Sequence, residues 1–221
     1  MKKSVIIVAG GQGKRMGAGM PKQFLLLQGL PVLMHTINAF SKHPEIEIVL
    51  VLPKEHIQEW SNLCNHHQFE VEHQITAGGE TRFQSVKNGI ELAPAGLIAV
   101  HDGVRPFVSP ALIESCYNGA ENHGVAIPVV KPKESIRRIQ GNSSTVVDRD
   151  LFVLVQTPQI FKSEILLDAY QQEENTAFTD DASVLELAGY PIHLVQGDYS
   201  NIKITTPADL AIAEVVIKDF F

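Results

Sequence analysis

The run Ser4-Val5-Ile6-Ile7-Val8-Ala9-Gly10-Gly11-Gln12-Gly13-Lys14-Arg15-Met16-Gly17 decides the fold. Its first six residues are mostly apolar and β-branched, as in a strand buried on both faces of a parallel sheet. A glycine-rich turn follows, and glycine lets backbone amides approach oxygens that any Cβ would hold off. Three more apolar runs, residues 47–52, 97–101 and 125–130, alternate with amphipathic stretches at 32–41, 55–65, 81–92 and 111–123. Ser109 and Pro110 give the last of these a cap and a pre-set first helical position. The alternation predicts an α/β fold, a Rossmann-like doubly wound and mostly parallel sheet, with residues 69–76 as a further, weaker strand.

The rhythm breaks over residues 131–156. Gly141, Asn142, Ser143 and Ser144 form a turn between two β-prone runs, which predicts a protruding hairpin. Its flanks, 135–139 and 145–155, carry apolar residues that an isolated pair of strands cannot hide, so a partner subunit is expected to cover it. Folding back onto its own domain is the alternative. Beyond lie helices at 163–173 and 179–187, strands at 192–196 and 201–204, and a final helix opened by Thr206, Pro207 and Asp209. One domain over 1–221 is expected, with the β-arm inserted at 132–155.

Composition narrows the function. A net charge of −7, from 18 Lys and Arg against 25 Asp and Glu, argues against nucleic acid as a partner. No stretch approaches the roughly 18 apolar residues of a membrane span. The apolar N-terminal run is interrupted by Gly10, Gly11, Gln12 and Lys14, too early for a secretory signal, and Cys64 and Cys116 form no disulfide or zinc pattern. A cytoplasmic location is expected. Against the acidic background, Lys14, Arg15 and Lys22 gather in one glycine-rich segment, which suits a small polyphosphate.

The loop fits neither common phosphate fingerprint. Counting GxGxxG from Gly11 puts Met16 at the third glycine, and Pro53-Lys54 stands where a ribose-binding acid is expected. A Walker A reading fails because Arg15 follows Lys14 and Val8 occupies the first glycine position. A glycine loop with an embedded arginine and a later lysine suits a nucleotide attacked at its α-phosphorus, where fixed cations meet the charge that builds in the transition state. At the end of the third run comes His101-Asp102-Gly103-Val104-Arg105-Pro106. An acid at the carboxyl edge of such a sheet sits where ligands bind, and Asp102 would hold Mg²⁺ against a triphosphate. The plainer alternative is that Asp102 caps a turn and His101 fills the core.

These residues carry a resemblance. The chain is similar to the 2-C-methyl-D-erythritol 4-phosphate cytidylyltransferases of the non-mevalonate isoprenoid pathway, through Ala-Gly-Gly-x-Gly-x-Arg-Met, Pro21-Lys22-Gln23, the Gly78-Gly79-Glu80 to Ser85 segment, His-Asp-Gly-Val-Arg-Pro, Val147-Asp148-Arg149, Thr157-Pro158-Gln159, Thr179-Asp180-Asp181-Ala182-Ser183 and Asn201-Ile202-Lys203. The motifs span nearly the whole length in the same order.

The resemblance implies a transfer of the cytidylyl group of CTP to the acceptor phosphate. It assigns Arg15, Lys22 and Lys203 to the reacting phosphates, and the backbone from Gly11 to Gly13 to the triphosphate. Cytosine recognition falls to Ala9, Gly10, Gly79, Glu80 and Ser85, and magnesium to Asp102. The acceptor side takes Gly103, Arg105, Ser135, Thr157 and Thr179, with Arg149 reaching across a homodimer on the β-arm. Two positions depart from the family pattern: Ser200 stands where relatives often have an acid, and Ser135 replaces a threonine while keeping the hydroxyl. Ribitol 5-phosphate cytidylyltransferase, a noncatalytic nucleotide sensor and an NAD-dependent oxidoreductase are the competing readings, the last disfavoured by the loop spacing.

Overall fold

The computed structural model describes residues 1–10 and 21–220, apart from the side chain of Asp219. Its elements run β1 (Lys3–Val8), β2 (Leu26–Leu27), β3 (Leu30–Pro31), α1 (Val32–Ser41), β4 (Ile46–Leu52), α2 (Ile57–His67), β5 (Gln74–Ala77), α3 (Arg82–Ile90), β6 (Leu97–Asp102), α4 (Pro110–His123) and β7 (Val125–Val130). Then follow β8 (Arg137–Gln140), β9 (Ser143–Val146), β10 (Leu154–Val155), β11 (Gln159–Lys162), α5 (Ser163–Ala169), α6 (Asp181–Leu187), β12 (Leu194–Gln196) and α7 (Pro207–Phe220).

The central sheet has eight strands in the order β10-β7-β11-β6-β1-β4-β5, with β12 also paired to β7. β1 runs parallel to β4 and β6, and β4 to β5, so their carboxyl ends share one edge. The doubly wound, mostly parallel sheet expected from the apolar runs is therefore present. Alternation along each strand sorts side chains to two faces. Val5, Ile7, Ile48 and Leu50 join α1, α2 and α4 in one core, while Ile6, Val49, Val51 and Val100 join α3, α5 and α6 in the other. Gly89 permits the second packing, since a Cβ there would lie 2.5 Å from Ile6 Cγ2. Among the described residues no helix is long and apolar enough to cross a membrane.

Several elements differ from expectation. β11 was not legible in the sequence; it enters antiparallel between β6 and β7. The weak strand expected at 69–76 is confined to Gln74–Ala77, because Phe69 and Val71 turn instead into the core around Trp60. The helix expected to reach residue 173 stops at Ala169, where Gln172 turns back to bond the carbonyls of Ala169 and Val184. Residues 201–204 form no strand; Ile204 donates a single backbone bond to Val104.

The hairpin is present as a separate two-stranded sheet, β8 with β9, closed at Gly141 with φ of 57°. Every residue of both strands is exposed, including Ile139 and Val146. Leu151, beyond the hairpin, is exposed as well.

Candidate active site

A cavity of about 250 Å³ opens at the carboxyl edge of the sheet. Val8, Ala9 and Gly10 line it from the end of β1, Gly79 to Arg82 and Ser85 from the start of α3, and Asp102 and Val104 from the end of β6. Lys22, Gln23 and Lys203 complete the lining. Larger hollows lie near His43 and His73 and near His35 and Lys218, but the lining of neither combines a carboxylate with a lysine or arginine.

Asp102 is held by two cations. Lys203 Nζ lies 3.0 Å and Arg105 Nε 3.1 Å from its Oδ2, while among the described residues no donor bonds Oδ1. Burial alone would raise its pKa, yet Lys203, Arg105 and Arg82 together hold the carboxyl well below the usual range, so it is an anion at neutral pH. Arg105 is itself buried and donates to the carbonyl of Asn201, whose side-chain amide donates to that of Thr157. These bonds hang the 201–203 segment on the end of β6 and so deliver Lys203 to Asp102.

Antiparallel pairing explains the part taken by Thr157. β11 aligns Gln159 with Val100, which brings Thr157 beside Asp102 at the ligand edge. The Asp102 amide donates to Thr157 Oγ1 at 3.1 Å, so the hydroxyl proton is left for His101 Nδ1, also 3.1 Å away. That assigns the His101 proton to Nε2, which donates to the Arg105 carbonyl at 3.1 Å. Complete burial drives the His101 pKa down to about 4, and its ring packs edge-on against Phe40. His101 thus fills the core, whereas Asp102, one residue on, faces the cavity.

The opposite wall is built by a helix start. Thr81 caps α3 by accepting from the Gln84 amide. Ser85 Oγ accepts from the Gly79 amide at 3.1 Å and donates to the Thr81 carbonyl at 2.8 Å, and Gln84 Oε1 accepts from the Glu80 amide. A Cβ on Gly79 would lie 2.4 Å from Gln84 Cβ, and one on Gly103 2.9 Å from Ala9 Cβ, so both glycines are required by close approach.

Arg82, which also lines the cavity, was not singled out from the sequence. Its guanidinium grips Asp181 at 2.6 and 2.7 Å, and Tyr170 donates its hydroxyl to the same carboxylate at 2.7 Å. Burial opposes its charge, but Asp181 holds Arg82 protonated far above the usual range. A cation in a first helical turn works against the helix dipole and so signals a dedicated anion; that was the available clue.

Of the residues singled out from sequence, Ala9, Gly10, Lys22, Gly79, Glu80, Ser85, Asp102 and Lys203 line the cavity together. Gly103, Arg105 and Thr157 lie buried beside it. Thr179 lines a neighbouring hollow of about 110 Å³ that shares Arg82. Ser135 and Arg149 are exposed on the arm, outside the cavity lining, where Arg149 donates to the Lys133 carbonyl. Gly11, Gly13 and Arg15 lie outside the described residues. Ser200 places its amide on the carboxylate of Asp198.

The family model described as 2-C-methyl-D-erythritol 4-phosphate cytidylyltransferase matches residues 4–219. A protein of that name from Bacteroides thetaiotaomicron is 54% identical over 219 residues, covering 98% of this chain and 100% of the relative. One from Porphyromonas gingivalis is 50% identical, covering 98% of each. The crystal structure of 2-C-methyl-D-erythritol 4-phosphate cytidylyltransferase from Thermus thermophilus superposes with a TM-score of 0.81 at 32% identity, over 99% of this chain and 100% of that one. The chain belongs to the 2-C-methyl-D-erythritol 4-phosphate cytidylyltransferase family.

Proposed function

We propose that the protein transfers the cytidylyl group of CTP to 2-C-methyl-D-erythritol 4-phosphate, giving 4-diphosphocytidyl-2-C-methyl-D-erythritol and pyrophosphate. The observation that carries this reading is the cavity that gathers Lys22, Lys203 and Asp102 around the end of β1. An acceptor phosphate oxygen attacks the α-phosphorus in line; the new P–O bond forms as the bond to the β-phosphate oxygen breaks. A phosphate is already ionised at neutral pH, so no general base is needed and the work is alignment and charge neutralisation. Lys22, Lys203 and Arg15 are the catalytic cations.

The backbone at Ala9, Gly10, Gly11 and Gly13, with Gly79, Glu80 and Ser85, holds the nucleotide. Ser85 acts by shaping the Gly79 to Thr81 turn, since its hydroxyl is spent there. Gly103, Arg105, Thr157 and Thr179 serve the acceptor side, Arg105 and Thr157 through the groups they fix. Ser135 and Arg149 reach the acceptor of a second subunit through a β-arm homodimer. The apolar side chains exposed on the arm support that assembly.

Asp102 would hold the Mg²⁺. Among the described residues no group of three or more His, Cys, Asp or Glu side chains could hold a metal alone, but a single carboxylate with an unbonded oxygen suits an ion whose other ligands are phosphates and water. When bound, the ion neutralises phosphate oxygens. The protein is proposed to be one domain of the cytoplasm, with no nucleic-acid or membrane partner. Pyrophosphate release from CTP, measured with 2-C-methyl-D-erythritol 4-phosphate and with ribitol 5-phosphate, tests the assignment; faster release with the ribitol ester would overturn it.

A further inference from the structure

Arg82 stands where two hollows meet, one lined by Lys22, Asp102 and Lys203 and the other by Thr179 and Asp180. The ion pair it makes is asymmetric. Asp181 is fully buried while about a third of the Arg82 side chain is open, so the anion is hidden and the cation faces the cavities. Such a pair is poor evidence for stability, because desolvating the carboxylate offsets much of the attraction. Its geometry is nevertheless over-determined: both Asp181 oxygens receive Arg82, and Tyr170 adds its hydroxyl.

The neighbouring side chains repeat the connection. Phe83 stacks on Tyr170 with centroids 4.6 Å apart and on Phe178 at 5.5 Å, and Gln84 donates to Glu174. Three consecutive residues of the first turn of α3 thus bind the 170–181 segment. The same turn fixes the other wall of the nucleotide cavity, through Gln84 with Glu80 and Ser85 with Gly79. On the other side, Gln159 ties Asp180 and the Ala182 amide to β11, two residues from Thr157.

We infer that Arg82, oriented by Asp181 and Tyr170, is a positioning residue that registers the Thr179 to Asp181 segment against the nucleotide cavity, and so sets how well the acceptor is held once the nucleotide is bound. The inference rests on the proposed reaction. Removing the Asp181 charge frees the guanidinium and lets the acceptor wall drift, while the Gly79 to Ser85 turn keeps its own bonds.

The test uses the full-length protein and follows pyrophosphate release from CTP and 2-C-methyl-D-erythritol 4-phosphate, with CTP affinity measured separately by calorimetry without acceptor. Asp181→Asn is expected to raise the acceptor KM at least tenfold and to change CTP affinity less than threefold. Adding Arg82→Gln to Asp181→Asn should cost no more than Arg82→Gln alone. Equal losses for both substrates, or acceptor constants unchanged, would overturn the inference. If Asp181→Asn fails to fold, Tyr170→Phe carries the test: it keeps the ring stack and loses only the hydroxyl, and a twofold or greater rise in acceptor KM supports the role where none refutes it. A wild-type protein that releases no pyrophosphate would instead sink the proposed reaction itself.

Discussion

The ammonium of Lys203 lies 3.0 Å from Oδ2 of Asp102. Side chains 101 positions apart in the chain are thus paired at the mouth of the cavity, with Lys203 still 42% exposed and Asp102 only 11%. The lysine is held in place and remains accessible to a ligand. Replacing Asp102 by Asn keeps the shape but leaves Lys203 and Arg105 without their anion. Turnover at saturating CTP should fall on the order of 10²–10³-fold, the usual scale for losing one fixed electrostatic group. Half-saturation by magnesium should also move to higher concentration. A variant with an unchanged magnesium titration would remove Asp102 from metal binding.

Lys22→Ala should lower kcat by about two orders of magnitude or more while circular dichroism and the thermal midpoint stay near wild type. Its side chain lines the cavity and is only partly buried, so the loss is of charge rather than packing. Near-normal turnover would defeat its catalytic role.

Arg149→Ala should raise the acceptor KM about tenfold or more with little effect on CTP affinity, because the residue stands on the arm away from the cavity of its own chain. Mixing Arg149→Ala with Lys22→Ala chains should restore activity, since a shared dimer would then contain one site with both native side chains. Absence of complementation in verified mixed dimers would rule out a site built from two subunits.

Stability should decline on acidification between about pH 6.5 and 4. His101 is buried with its pKa lowered to about 4, and burial lowers those of His73 and His35 as well. In this window the unfolded chain binds protons that the folded chain refuses, so unfolding is favoured as pH falls. His101 alone contributes on the order of 3 kcal/mol to the loss, from its displacement of about 2.5 pH units. Carboxylates with lowered pKa values, such as Asp102 and Asp209, add their loss only below the usual carboxylate range. Urea unfolding at pH 7 and pH 5 measures the effect, and equal midpoints would contradict it.

The sequence by itself determined the parallel strands, the start of α4 with its Ser109 cap and Pro110 in the first helical position, and Asp102 at the end of β6. Each is written locally: a doubly buried strand must be continuously apolar, a cap needs a side-chain acceptor at one position, and a strand end fixes where the next side chain points. It also announced the hairpin, through its turn residues around Gly141. Tertiary structure alone decided the rest. β11 is four residues long and carries no period, so its antiparallel insertion, and with it the contact from Thr157 to His101 and Asp102, depended on the two strands it fits between. Arg82 and Asp181, 99 positions apart, read as ordinary surface charges until folding buried one of them completely. Such pairs are chosen by shape and desolvation at long range, and those forces leave no pattern in neighbouring residues.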